Sequence, residues 1–158
     1  MAVLPLGDRF GNLLVSFDSA AGTEPESPDD AVPMPLSLIV AVYASRVLMV
    51  LDAVREQWEL PGGMRERDET ARQAAVRELA EETGIAATDL EPAAVAGFCL
   101  THPVRREYAA VYRLVLRTTP QLAADEEVLD FRWWDPRSPL PADMSPLDAE
   151  IARRVIGT

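Results

Sequence analysis

Residues 69–83 contain neither Gly nor Pro, are rich in Ala, Glu, Arg and Leu, and lie between Pro61-Gly62-Gly63 and Gly84. Strong helix formers between such breakers predict a helix that starts near Glu69 and stops at Gly84. On a wheel started at Glu69, Arg77, Glu78, Glu81 and Glu82 fall within an arc of roughly 80° to 220°. Ala75, Val76, Leu79, Ala80 and Thr83 occupy the opposite arc of roughly 240° to 20° and are assigned to the core. Ala71 and Ala74 share the acidic arc, which predicts a low surface with room for an ion or a substrate.

Glu78 and Glu82 stand four residues apart with like charge, a spacing that costs a helix a few tenths of a kcal/mol, and Glu81 adds to the crowding. A divalent cation removes that cost, and carboxylate oxygens are the ligands that hard cations such as Mg²⁺ prefer. A charge run on a helix is also what a solvated face looks like, so periodicity by itself leaves both readings open.

The rest of the chain narrows the class. Its 158 residues, 48% hydrophobic and 26% charged, suit one globular domain. Residues 1–18 read as a hairpin of strands Val3–Leu6 and Leu13–Phe17, residues 19–35 as a flexible Pro-rich loop, and residues 36–158 as the core. Strands are predicted at Leu38–Tyr43, Val47–Leu51, Ala93–Thr101, Glu107–Arg117 and Val128–Trp134, with a short one ending at the Pro61-Gly62-Gly63 loop. A closing helix is predicted over Pro146–Ile156, giving a mixed α/β layered domain.

Acidic residues outnumber basic ones 26 to 15, for a formal charge of −11, which opposes duplex nucleic acid and anionic membranes as partners. Small phosphorylated substrates remain compatible if a metal ion or a local Arg cluster offsets the repulsion. The one cysteine, Cys99, has no basic neighbour and is read as a buried structural thiol. With no leader-like start and no apolar run long enough to span a bilayer, a reduced, cytoplasmic setting is expected.

The span from Gly63 to Ile85 carries more than a helix. Gly63, Glu69, Arg77, Glu78, Leu79, Glu81, Glu82, Gly84 and Ile85 fill every slot of the pattern Gly, five residues, Glu, seven residues, Arg-Glu, apolar, any, Glu-Glu, any, Gly, apolar. That pattern resembles the box of the Nudix hydrolases, and Trp58–Gly62 and Phe131-Arg132-Trp133 resemble its usual flanks. The resemblance implies an α/β/α sandwich with a mixed sheet and hydrolysis of a diphosphate bond in a small nucleotide-like substrate, with Mg²⁺ or Mn²⁺ as cofactor.

Carried over by position, the metal ligands are Glu78, Glu81, Glu82 and the Gly62 carbonyl, while Glu69 and Arg77 form an orienting pair within the catalytic set. Glu81 or Glu82 is the candidate general base. Some family members place that acid six residues before a late Trp, which here is Glu127. Arg55 is the candidate phosphate contact, since a guanidinium suits that task. A nucleoside triphosphate that releases pyrophosphate is the favoured substrate, with ADP-ribose or a nucleotide sugar, and a non-catalytic nucleotide sensor, as the alternatives. The N-terminal hairpin, rich in apolar residues and poor in ligands, is expected to lie outside the chemical site and to serve packing or an exchanged arm in a homodimer.

Overall fold

The computed structural model describes residues 1–157. In chain order the elements are β1 (Leu6–Gly7), β2 (Leu13–Ser19), β3 (Leu36–Tyr43), β4 (Arg46–Asp52), β5 (Trp58–Glu59), β6 (Gly62–Met64), α1 (Ala71–Thr83), β7 (Glu91–Leu100), β8 (Arg105–Leu116), β9 (Val128–Trp134) and α2 (Pro146–Ile156). All nine strands form one sheet in the order β1-β2-β7-β8-β3-β4-β5, with β6 paired to β3 and β9 to β4. The β3–β8 ladder is parallel and the others are antiparallel, so the sheet is mixed.

Alternation along β3 shows how the layers form, because successive side chains leave a strand on opposite faces. Leu38, Val40 and Val42 join a core cluster with Leu147, Ile151 and Val155 of α2. Ile39 and Ala41 join a second cluster with Ala71, Ala75 and Leu79 of α1. One helix therefore covers each face, giving the α/β/α sandwich. Between β3 and β4 the turn residues Ala44 and Ser45 both take positive φ, 48° and 63°, the backbone twist that a two-residue hairpin requires.

The two helices are bounded by their caps. Thr70 accepts from the Gln73 N–H while the Gln73 side chain accepts from the Thr70 N–H, so α1 begins at Ala71 and Glu69 stays outside it. Gly84, at φ 79°, closes it with a bond from its N–H to the Ala80 carbonyl. Ser145 caps α2 ahead of Pro146.

Three expectations change. Ala80 is exposed, whereas Ala71 and Ala74 are buried, so the two alanines of the acidic arc form no open floor. The cause is β3, whose Ser37 hydroxyl donates to the Ala71 carbonyl at 2.7 Å and draws that side of the helix onto the sheet. The Pro-rich segment is pinned rather than loose: Val32 and Met34 are buried, and Glu24 binds both Arg72 and, at 3.0 Å, the Tyr112 hydroxyl. Cys99 is only partly buried.

The N-terminal hairpin docks on its own chain. Strand β2 pairs with β7 from Leu13↔Cys99 to Ser19↔Ala94, and Leu4, Leu6 and Phe17 pack on the α2-side core. The buried Glu150 of α2 accepts the Ala2 N–H with both oxygens, at 2.8 and 3.1 Å. Among the described residues no helix is long and apolar enough to cross a membrane.

Candidate active site

Strand β6 sets the geometry. Gly62 sits at φ 154° opposite Leu38, and a Cβ there would run into the Ser37 carbonyl oxygen, so the position admits only glycine. The close approach aims the Gly62 N–H at Glu82, whose Oε1 accepts it at 2.7 Å. Beside it the Glu78 carboxylate lies over Gly63, where an added Cβ would come within 2.6 Å of its Cδ. Two glycines thus let a strand come close to two helix carboxylates.

Arg77 organises the remaining acids. Its guanidinium grips Glu69 through two parallel bonds, Nε to Oε2 at 2.8 Å and Nη2 to Oε1 at 2.9 Å. It also donates to Glu78 at 2.9 Å, to Glu81 at 3.2 Å and to the Met64 carbonyl at 3.0 Å. Those bonds, with a further one from the Glu66 N–H, hold the Glu69 carboxyl down at about 2. The pair expected to orient the box therefore touches the loop, the strand and two of the three helix glutamates.

Glu82 is 7% exposed, which corrects its assignment to an open arc. Burial pushes its carboxyl up to about 8; the Gly62 N–H opposes the shift, and the charges of Glu78, Asp125 and Glu127 add to it. Glu78 is also raised, first by burial, against the pull of Arg77, with Glu81 and Glu127 contributing. Glu127, on the β8–β9 loop, is exposed, and its charge adds to the rise of both carboxyls. Its carbonyl accepts from the Ala53 N–H at 2.9 Å, and its own N–H donates to Asp125 at 2.9 Å. Asp125, two residues before Glu127 and not among the site candidates, also adds its charge to the shift of Glu82.

The donor set suits a hard divalent cation: carboxylate oxygens of Glu78, Glu81 and Glu82 and a backbone carbonyl at Gly62. Among the described residues no three Asp, Glu, His or Cys side chains converge closely enough to hold an ion as they stand. The bonds explain this, since Arg77 occupies one Glu78 oxygen and the Gly62 N–H occupies one of Glu82. The fit rests on the buried Glu82 carboxyl held against Gly62 beside Glu78; burial above all, with the neighbouring acids adding to it, raises this carboxyl, and a nearby cation would favour its charged form.

A cleft of about 250 Å³ opens beside the two glycines. Leu38, Leu60, Phe98 and Leu147 of its lining belong to the α2-side core, so the cleft and the helix glutamates flank β6 from opposite sides. Arg55 lies on its rim but is committed to Glu59, at 2.6 and 2.7 Å, and to Asp52 at 3.1 Å. Asp8, Phe10 and Asn12 line the same cleft, so the hairpin, expected to lie outside the chemical site, borders a hollow that reaches Gly62 and Gly63. Asp148 also lines it; burial next to Glu59 pushes its carboxyl up to about 7, while it accepts the Leu60 N–H at 2.8 Å. A larger open hollow of about 970 Å³ runs between the Pro-rich segment and the start of α1, and touches none of Gly62, Glu78, Glu81 or Glu82.

The sequence model of the NUDIX domain matches residues 33–155, and the chain belongs to the Nudix family. It is 32% identical over 137 residues to a Danio rerio protein named 8-oxo-dGDP phosphatase NUDT18, an alignment that covers 80% of this chain and 40% of that one. The chain spans about two fifths of the length of the curated relatives it matches, from 40% to 42%. Among solved structures it superposes on the E. coli dihydroneopterin triphosphate pyrophosphohydrolase with a TM-score of 0.64 and 26% identity, covering 78% of this chain and 95% of that one. A MutT NUDIX hydrolase from Burkholderia pseudomallei shares the fold with a TM-score of 0.67 and 22% identity, over 78% and 98% of the two chains.

Proposed function

We propose that the chain is a metal-dependent hydrolase that cleaves a diphosphate bond of a nucleoside di- or triphosphate by water attack on phosphorus. The observation that carries the reading is the pairing of two largely buried glutamates, Glu78 and Glu82, with Gly63 and Gly62 at the edge of a cleft. Buried like charges cost stability unless they serve a ligand, and oxygen donors at this density suit a cation bound to phosphate.

Glu78, Glu81, Glu82 and the Gly62 carbonyl would hold the ion. When bound, it neutralises phosphate charge and makes the attacking water more acidic. Arg77 and Glu69 position the cluster, since they bond its members and leave no free group for substrate. Glu127, exposed beside the two buried acids, is assigned the proton from water, with Glu81 and Glu82 as the other candidates. Arg55 can meet a phosphate only by exchanging its bonds to Glu59 and Asp52.

The names of the Danio rerio relative and the E. coli structure, a phosphatase of 8-oxo-dGDP and a triphosphate pyrophosphohydrolase, support a substrate with one nucleoside-like group. The cleft of about 250 Å³ sits below the usual range of about 300–1,000 Å³ for small-molecule sites, which disfavours a second sugar beyond the diphosphate, as in ADP-ribose. The test is product analysis on a panel of nucleoside di- and triphosphates and ADP-ribose, with Mg²⁺ and with EDTA. Hydrolysis of one nucleotide class that EDTA abolishes is expected. A folded protein that turns over nothing in the panel overturns the reading and leaves a nucleotide-binding module.

A further inference from the structure

We propose that the Asp8–Asn12 turn of the N-terminal hairpin is the end wall of the cleft and selects substrates by the flat ring of a nucleobase against Phe10 and Phe98. The inference rests on the hydrolase reading for the position of the diphosphate and goes beyond it in assigning the recognition of the base of the nucleotide. The turn residues Asp8–Asn12 precede the matched family segment, which begins at residue 33.

The turn is built to hold a shape. Asp8 accepts the N–H groups of Phe10 and Asn12, both at 2.9 Å, and the Asn12 amide donates back to Asp8 at 3.1 Å. Gly11 completes the turn at φ 84°. From this frame two bonds reach opposite rims of the cleft. Asn12 Oδ1 accepts from the Thr101 N–H at 3.0 Å and from its hydroxyl at 3.2 Å, at the end of β7. Arg9 donates to the Arg55 carbonyl at 2.6 Å, in the β4–β5 connection. A surface hairpin that only packed on the sheet would have no need to bridge two loops that flank the cleft.

What the wall presents fits a ring. Phe10 lines the cleft and is 38% exposed in a braced turn; the Arg9 guanidinium lies over one face of its ring, 4.8 Å from the centroid, so a base stacks on the other face, and the fixed position lowers the ordering cost of stacking. Phe98 lines the same space from β7. Three carboxylates, Asp8, Glu59 and Asp148, line this cleft against the one guanidinium of Arg55. Carboxylate oxygens can accept from the N–H donors on a base edge, while the cation of the hydrolase reading would draw the phosphates toward Gly62 and Gly63. The volume admits one ring system.

The test uses the full chain carrying Phe10→Ala, with Phe10→Leu and Phe10→Trp as companions. Each is assayed for kcat/KM on a nucleoside triphosphate and on the base-free 5-phosphoribosyl 1-diphosphate, and for nucleoside monophosphate binding by equilibrium dialysis. Because base–aromatic stacking is sequence-tolerant but needs a flat face, Ala and Leu should each lower the preference for the nucleotide over the base-free substrate about tenfold, and weaken dialysis binding about as much. Trp should restore both. An unchanged preference, or an equal loss on both substrates, overturns the wall while the hydrolase reading stands. Binding that depends on Phe10 in a protein without turnover overturns the hydrolase reading and leaves the wall in place.

Discussion

Replacing Gly63 with alanine separates the chemistry of the box from its stability. The added Cβ would lie 2.6 Å from Cδ and Oε1 of Glu78 and 2.9 Å from Oε2, whereas ordinary contacts begin near 3.4 Å. The carboxylate must therefore retreat by 0.8 Å, the difference between 3.4 and 2.6 Å, and its bond to Arg77, which Glu69, Glu81 and the Met64 carbonyl hold in place, must lengthen or turn. Misplacing a group near the reacting atoms by about 1 Å costs on the order of a hundredfold in rate, so kcat/KM should fall about that far. Stability should change by less than about 1 kcal/mol, because the clash falls on the end of a flexible side chain and alanine loses less backbone entropy than glycine. Gly62→Ala is the counterpart. There the clash is with the Ser37 backbone carbonyl, which β3 cannot move, and a loss of at least about 3 kcal/mol is expected. Steady-state kinetics together with urea unfolding measures both effects. Activity of Gly63→Ala within about threefold of wild type would show that the position of Glu78 has no part in the reaction.

Two further outcomes follow from the buried carboxylates. The Glu82 carboxyl is raised from 4.5 to about 8, so the folded chain keeps a proton that the unfolded chain releases; this stability is full below 4.5 and is lost as pH rises through 8. In EDTA, Glu82→Gln should therefore gain about 2 to 4 kcal/mol over wild type as pH climbs from about 5 to about 8.5, while losing turnover; unfolding curves that run parallel at every pH would refute it. Millimolar Mg²⁺ or Mn²⁺ should raise the melting temperature of wild type near pH 8 by about 3 °C or more, and that of Glu82→Gln by less; a wild type that ignores both ions counts against a cation at this site.

Local signals marked most elements. The bounds Val128–Trp134 and Pro146–Ile156 were legible because the first is a clean β-rich run and the second opens on Ser145-Pro146, a cap followed by a residue that suits the first helical position. The first strand was misplaced, at Val3–Leu6 instead of Leu6–Gly7, since hydrophobicity alone says nothing of direction: Val3 is 88% exposed and Pro5 has no N–H for a ladder. The α1 wheel failed at its alanines for a related reason. Ala71, Ala74 and Ala80 look alike on a polarity scale, and only the approach of β3 and β6 from one side decides which are buried.

The same distinction divides the site. Helical spacing grouped Arg77, Glu78, Glu81 and Glu82, and the resemblance to the Nudix box added Glu69; the structure joins four of these five through the Arg77 guanidinium. Burial of Glu82 was hidden, since it depends on how closely Gly62 passes, a property of the strand rather than of the helix. The cleft wall was hidden more deeply: Asn12 meets Thr101 across 89 residues of sequence, and Arg9 meets Arg55 across 46. A hairpin with no ligand cluster has no local mark of function, because its contribution is a shape completed by loops far along the chain. On the proposed reading, substrate choice rests on contacts far apart in sequence, while three of the four proposed metal ligands come from one helix.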